Sequence, residues 1–332
     1  MAKSYLVTGG SGFIGAALVR RLVARGDRVR VLDNLSRGKE RRLADVAHDV
    51  EFLQADIRDA AAVGRAAKGI DCVCHAAFVN GTQFFYTMPQ LVLDVGIRGM
   101  LNVLDACLEH DVPELFVASS SEVYQTPPRI PTDETVPFSI PDPMNPRYSY
   151  AAGKITSEIL AINYARTHFQ RMVIFRPHNV YGPDMGWEHV IPQFILRLDR
   201  LCRDTSARAP VRFSVLGTGR ETRAFVYIDD FTDGLVLLLD RGRHQEIYNI
   251  GTSEEVTIAE LAQQTATYFG REIEIIPGPP AKGSTPRRCP DIAKLISLGY
   301  SPTIDLARGL PITAEWYVEN AHLAPPENSP PV

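Results

Sequence analysis

The sequence predicts an α/β protein, a doubly wound parallel sheet followed by a smaller α/β lobe. Three observations predict it. Short apolar strand patterns alternate with helical ones from Tyr5 to Arg176, a glycine-spaced turn opens the first strand-to-helix junction, and the alternation breaks down after Pro183. Strands separated by helices at this pitch imply parallel crossovers. At 332 residues the chain also exceeds the usual size of a single core.

The first strand is Tyr5 to Val7, and Gly9, Gly12 and Gly15 follow it at a G-x-x-G-x-x-G spacing, with Phe13 and Ile14 between the last two. A buried strand that turns sharply into a helix needs the dihedral freedom of Gly9. Gly12 leaves backbone N–H groups open at the helix N-terminus, where the dipole favours a pyrophosphate. Gly15 lets the helix sit close on the strand. Ala16 to Ala24 repeats apolar residues at helical intervals, and Val29 to Leu32 is a second strand that ends at Asp33. A glycine turn inside a strand–turn–helix–strand unit closed by an acid is the context of a dinucleotide site, and it makes the sheet Rossmann-type. Asp33 is placed to bond the adenosine ribose and to repel a 2′-phosphate, which favours NAD; Arg37 nearby keeps NADP as the alternative.

Val50 to Asp56 reads as the third strand. Asp56 either reaches the adenine amino group or caps the helix at Ala60 to Ala67. Ile70 to Ala77 is the fourth strand, and Ala76 and Ala77 are small enough for a cofactor to cross its tip. His75 within it reads as a core histidine. A long helix covers 91–110, and Leu115 to Ser119 is the fifth strand. Ligands bind at the carboxyl ends of such strands, which draws attention to Ser119-Ser120-Ser121-Glu122-Val123-Tyr124. After a proline-rich loop, helical pattern resumes from Tyr150 to about Thr167, and Met172 to Arg176 is the sixth strand. Tyr150 and Lys154, four residues apart, share one helix face.

That pair carries the chemistry. A free phenol, with a pKa near 10, is too weak an acid to serve as a base at neutral pH. A neighbouring ammonium and a positive nicotinamide ring would both favour its phenolate. Tyr150 could then take a proton from a substrate hydroxyl while Ser120 holds the same oxygen.

Beyond Pro183 the segments are shorter and carry Arg197, Arg200, Arg203, Arg208, Arg212, Arg220 and Arg223. They read either as cations offered to an anionic substrate or as a solvated basic face. A net charge of −4 gives no electrostatic footprint for nucleic acid. No run of 18 apolar residues spans a membrane, and no signal peptide opens the chain. The five cysteines include no Cys-x-x-Cys pair, so no metal site is expected and a cytoplasmic setting is.

These segments together resemble the extended short-chain dehydrogenases/reductases, specifically the NAD-dependent nucleotide-sugar epimerase/dehydratase family. The resemblance rests on Gly9 to Gly15, Asp33-Asn34-Leu-Ser-Arg-Gly38, Ala55-Asp56-Ile57-Arg58 and His75-Ala76-Ala77. It continues through Ser119 to Tyr124, Tyr150-x-x-x-Lys154, Asn179-Val-Tyr-Gly-Pro183, Thr222 to Asp230 and Tyr248-Asn-Ile-Gly251. It implies NAD as cofactor, bound by Gly9, Gly12, Phe13, Ile14, Gly15, Asp33 and Asn34. Asp56 and Ile57 would flank adenine, and Ala76, Ala77, Tyr150 and Lys154 would lie along the cofactor. It makes Tyr150 the base, Lys154 its activator and Ser120 the hydroxyl partner. Ser120, Ser121, His178, Asn179, Arg223 and Arg288 would meet a nucleotide-diphosphate sugar oxidised at C4 to a transient 4-keto sugar. A homodimer formed through the helices at about 91–110 and 150–167 is also implied.

The resemblance divides the chain into an NAD-binding domain at 1–177, a substrate lobe at 178–324 from which about 225–250 returns to the first domain, and a frayed tail at 325–332. It leaves the reaction open. Sugar 4,6-dehydratases carry an Asp-Glu pair where this chain has Ser121-Glu122, so the acid is missing. A 4-epimerase is the first expectation. The alternatives are elimination or decarboxylation assisted by Glu122, a one-way 4-dehydrogenase or reductase, and, outside enzymes, a non-catalytic dinucleotide sensor. Glu122 can equally be structural. The family's usual Asn is Gly96 here, and a Phe78-Val-Asn-Gly-Thr82 loop replaces a more ordinary one.

Overall fold

A computed structural model describes residues 2–204, 210–279 and 285–325. Seven parallel strands form the central sheet in the order β11-β6-β5-β4-β1-β2-β3. The first six are β1 (Ser4–Thr8), β2 (Arg28–Asp33), β3 (Val50–Gln54), β4 (Cys72–His75), β5 (Glu114–Ala118) and β6 (Arg171–Pro177). All of β1 and β4 is buried, as expected of strands covered on both faces. Side chains alternate between two cores: Tyr5 and Val7 face one, Leu6 and Leu32 the other. The strand order reverses between β1 and β4, which opens a crevice at their carboxyl ends.

The helices of this half are α1 (Phe13–Ala24), α2 (Ala60–Ala67), α3 (Thr82–Thr87), α4 (Pro89–Glu109) and α5 (Ser149–Tyr164). Helix α1 buries Gly15, Ala16, Leu18, Val19 and Leu22 against the sheet. One strand end and one helix cap differ from the sequence reading. The third strand stops at Gln54 because the Asp56 carboxylate accepts from the Arg58 backbone N–H at 2.9 Å, which turns the chain. The cap of α2 is Asp59, whose carboxylate accepts from the Ala62 N–H at 3.0 Å, and not Asp56. Helix α3 was not foreseen. It follows Gly81, whose φ of +134° suits glycine.

Past β6 the chain forms β7 (Val180–Tyr181), α6 (Val190–Asp204), β8 (Val211–Val215), β9 (Thr222–Ala224) and β10 (Val226–Tyr227). It then crosses back through α7 (Ile228–Arg241), which packs on α1, to β11 (Glu246–Ile250), the seventh strand of the sheet. The remainder is β12 (Glu255–Thr257), α8 (Ile258–Tyr268), β13 (Ile273–Pro277), β14 (Arg287–Arg288), α9 (Ala293–Ile296) and α10 (Leu306–Glu319). Strands β8 and β13 pair in parallel, and β9 lies between β12 and β14. A reciprocal Thr257–Glu260 capping box starts α8. Among the described residues no helix is long and apolar enough to cross a membrane.

A buried polar network ties three strand tips together. Arg176 of β6 donates to both Glu158 carboxylate oxygens, at 2.8 and 2.7 Å, and to the Tyr124 hydroxyl at 2.6 Å. Tyr124 in turn donates to Asn249 of β11 at 2.9 Å, and Ser119 at the end of β5 bonds Glu158. Arg176 and Glu158 are essentially inaccessible to solvent.

Candidate active site

The glycine turn meets β4 so closely that no side chain fits. Gly9 has φ +70°, and a Cβ there would lie 2.7 Å from the Ala77 backbone N; one on Gly15 would lie 2.1 Å from the Gly9 carbonyl oxygen. Gly12, the N-cap of α1, brings no side-chain cap, so the first turn presents bare backbone. Asp33 accepts from the Ser11 N–H at 3.0 Å and the Leu35 N–H at 2.8 Å, which fixes the turn and the following loop around one carboxylate. Asn34 donates to Asp56 at 2.9 Å. The hydrogen bond from Arg58 is the largest influence that holds the Asp56 carboxyl down at about 2. Ile57 is wedged against Gly99, and its carbonyl accepts from Asn102 at 2.9 Å.

From this cradle a cavity of about 790 Å³ runs past Ala76 and Phe78 to Ser120, Glu122, Tyr150 and Lys154, and on to Asn179 and Arg288. That is the size of a ligand pocket. The glycine cradle at one end and the phenol–amine pair at the other fit a dinucleotide with a substrate beyond it. Arginines from the loop after β2 reach across to the loop after β7: Arg37 to Glu188 at 3.4 Å, Arg41 to Asp184 at 2.7 Å and Arg42 to Asp184 at 3.0 Å. Arg37 also lies 4.9 Å over the Phe84 ring, so its charge is engaged away from Asp33.

At the far end α5 presents Tyr150 and Lys154 on one face. The Tyr150 ring stacks on Phe85 at 4.8 Å and meets Phe78 at 5.1 Å in a T-shaped arrangement. Burial pushes its phenol well up; the hydrogen bond with Ser120 pulls it only part of the way back, and Glu122 adds to the rise. The Lys154 ammonium donates to the Ala118 carbonyl at 2.6 Å, and burial draws it down to about 7, Glu158 opposing. The protein alone therefore moves both groups against ionisation, which leaves the positive nicotinamide ring as the influence that would favour phenolate. His75 is held neutral by burial, down to about 3, and its Nδ1 pairs with Thr8 at 2.8 Å, as a core histidine does.

Glu122 lines the cavity but is already engaged. Arg288 donates to it at 2.8 Å, and the Gln125 amide lies 3.3 Å from its other oxygen. Burial would raise its carboxyl, yet Arg288 and Arg147 outweigh that and hold it below the ordinary value. Arg147, which sequence reasoning missed, lines the same wall, and its Nε has no hydrogen-bond partner among the described residues. Its signal was its position three residues before Tyr150.

The expected substrate residues are not all brought together. Ser121 and Asn179 lie on the cavity wall, Asn179 with φ +41° and its amide bonded to the Ala224 carbonyl at 2.9 Å. Arg223 donates to the Thr222 and Thr285 carbonyls at 2.7 and 2.8 Å, behind the wall that Arg288 forms. His178 is turned away from the cavity. It is 1% exposed, bonds Asn249 at 3.0 Å, and burial depresses it to about 3.

The arginine-rich stretch is likewise no substrate-facing set. Arg197 bonds the Ser214 carbonyl, Arg200 the Leu196 carbonyl, Arg203 pairs with Asp199 and Arg212 with Glu274. Arg220 is exposed, and Arg208 lies outside the described residues. Spacing of three or four along α6 lets its arginines find partners within or beside their own helix.

A family model described as the NAD dependent epimerase/dehydratase family matches residues 5–251. The chain is 32% identical over 320 residues to a putative UDP-glucose 4-epimerase of Methanocaldococcus jannaschii, covering 95% of this chain and 98% of that one. It is 30% identical to a UDP-N-acetyl-alpha-D-glucosaminuronate decarboxylase of Bacillus cytotoxicus, over 96% and 99% of the two chains. Among solved structures, a double mutant of DesIV, a dTDP-glucose 4,6-dehydratase from Streptomyces venezuelae with NAD and DAU bound, superposes with a TM-score of 0.84. That match has 31% identity and covers 96% of this chain and 98% of the other.

Proposed function

Because the chain belongs to the NAD-dependent epimerase/dehydratase family, we propose that it inverts C4 of a nucleotide-diphosphate sugar by way of a 4-keto intermediate. It is an NAD-dependent enzyme that modifies nucleotide sugars; the choice of C4 epimerisation is the finer reading. One observation carries that choice. Glu122, the carboxylate nearest Tyr150 on the cavity wall, is held by Arg288 and Gln125, and the position before it is Ser121 rather than an acid. Tyr150, Ser120 and Lys154 then suffice for oxidation at C4 and its reversal.

Bound NAD supplies a hydride acceptor that carries positive charge, and in its reduced form returns the hydride. The residues of the chain manage the proton. Tyr150 takes it from the C4 hydroxyl and gives it back on reduction. Ser120 holds that oxygen as charge changes on it. Lys154 steadies the phenolate, and the aromatic box of Phe85 and Phe78 keeps water from the ring. Asn179, Ser121 and Arg288 bind the nucleotide sugar at the open end.

The second reading, elimination or decarboxylation with Glu122 as base, is favoured by the placement of that carboxylate beside Tyr150 and by the decarboxylase among the relatives. Mass and NMR analysis of products from a panel of UDP-, GDP-, CDP- and dTDP-sugars separates the two. Inverted C4 at unchanged mass supports the epimerase, and loss of water or CO2 supports the second reading. Inertness across the panel would favour a dinucleotide sensor. Under the first reading Glu122→Gln lowers kcat by no more than about tenfold. A loss of about 10²–10⁴, the usual worth of a general base, would establish the second. A homodimer through α4 and α5, which pack side by side, and a cytoplasmic setting for the five free cysteines belong to the same proposal. Light scattering of the purified protein tests the dimer.

A further inference from the structure

Two departures from the family pattern, Gly96 and the loop that starts at Phe78, meet in space. A Cβ on Gly96 of α4 would lie 2.5 Å from Cζ of the Phe78 ring, and a Cβ on Gly153 of α5 would lie 2.9 Å from the same atom. The two glycines cut a slot between the helices, and the ring tip fills it. Ser157 holds the slot at that level, with its hydroxyl 2.9 Å from the Gly153 carbonyl and 3.3 Å from that of Gly96. A ring pinned at its tip has little freedom left.

We propose that Phe78 is a positioning residue of this active site: wedged between Gly96 and Gly153, it presents its face to the Lys154 ammonium and stands nearly perpendicular to the Tyr150 ring, and so fixes the geometry of the proton relay. The inference rests on the catalytic reading of Tyr150 and Lys154 given above. The Lys154 Nζ lies 4.0 Å from the Phe78 centroid, against 5.8 Å from that of Tyr150. An aromatic face attracts a cation, and most strongly where water is excluded; Lys154 is 4% exposed.

The other charged and titratable groups near the ammonium leave it little support. Glu158, one turn along α5, is committed to Arg176 and Ser119, and His75 of β4 is neutral. Glu122, on the turn after β5, is paired with Arg288 of β14, beside which Arg147 carries a like charge. The ring face and the Ala118 carbonyl are what touch the ammonium, with Glu158 adding attraction from one turn away.

The test keeps the shape of the ring and removes its charge distribution. Holoenzyme is made with 3-fluoro-, 3,5-difluoro- and 2,3,5,6-tetrafluorophenylalanine at position 78, all of which keep the hydrogen on Cζ that enters the slot. The Lys154 Nζ is titrated by NMR in protein labelled with ζ-¹⁵N lysine, its signal assigned by its loss in Lys154→Arg. The pH at which it loses its proton is expected to fall stepwise, by about one unit at the tetrafluoro end, with kcat about tenfold lower at unchanged KM. Phe78→Leu, which stays apolar but loses both the quadrupole and the ring tip, should fall with the tetrafluoro variant. A constant titration and kcat across the series, or Leu equal to the natural residue, would overturn the proposal. The titration needs no sugar, so a wild-type protein inert on the panel but shifted along the series would sink the epimerase reading, and the relay with it, while leaving the hold of Phe78 on Lys154 established.

Discussion

Tyr150→Phe is expected to lower kcat by about 10²–10⁴-fold and to leave NAD bound, because the phenol oxygen is the only atom removed and it is the atom that moves the proton. The phenylalanine ring keeps its stack on Phe85 and its edge contact with Phe78, so the cavity wall survives. What goes is the hydrogen bond with Ser120 and the acid–base group itself. Ser120 is a poor substitute as a base, since an alcohol is a weak acid–base group at neutral pH unless a base activates it. Lys154 is tied to the Ala118 carbonyl. The check is steady-state turnover of the reactive sugar from the panel, alongside NAD retained after gel filtration. A variant that turns over at the wild-type rate would remove Tyr150 from the mechanism. Loss of NAD together with activity would show instead that the phenol chiefly holds cofactor.

The elements most legible in the sequence were those whose causes are local. Buried parallel strands must be apolar runs, so β1, β2, β5 and β6 could be placed to within a residue or two. Helix geometry alone puts Tyr150 and Lys154 on one face, and glycine chemistry alone marks the turn from Gly9 to Gly15. What was not legible depends on partners far apart in the chain. His178 and Asn179 are neighbours in sequence, yet only Asn179 reaches the cavity, because β11 supplies Asn249 to bond the histidine from behind. Arg197, Arg203 and Arg212 beyond Pro183 could be read as part of a substrate surface and are instead bonded along α6 and β8. The arginines that do line the cavity are scattered, with Arg37, Arg41, Arg42 and Arg147 in the first half and Arg288 on β14. Asp56 and Asp59 are both acids before a helix, and only the side-chain geometry shows which one caps it.

The Glu158–Arg176 pair was missed for the same reason, and it carries the largest stability prediction. Glu158→Ala is expected to cost about 3–5 kcal/mol, the usual consequence of leaving one member of a buried ion pair alone. The guanidinium would lose two charge-assisted hydrogen bonds and keep the Tyr124 hydroxyl as its main partner. The loss is a large share of the roughly 5–15 kcal/mol that ordinarily separates folded from unfolded protein. Because Arg176 links β6 to Tyr124, and Tyr124 links to Asn249 of β11, the strand tips around the active site should loosen before the rest of the sheet. Denaturant unfolding of the NAD-bound protein gives the first number, and hydrogen exchange of the β5, β6 and β11 amides locates it. Removing both charges in Glu158→Leu with Arg176→Met should recover much of the loss, since the pair must offset its own desolvation and two well-packed apolar side chains need not. A single variant that loses less than about 1 kcal/mol would mean that water or a shifted neighbour satisfies Arg176, and that the network does not hold the strand tips.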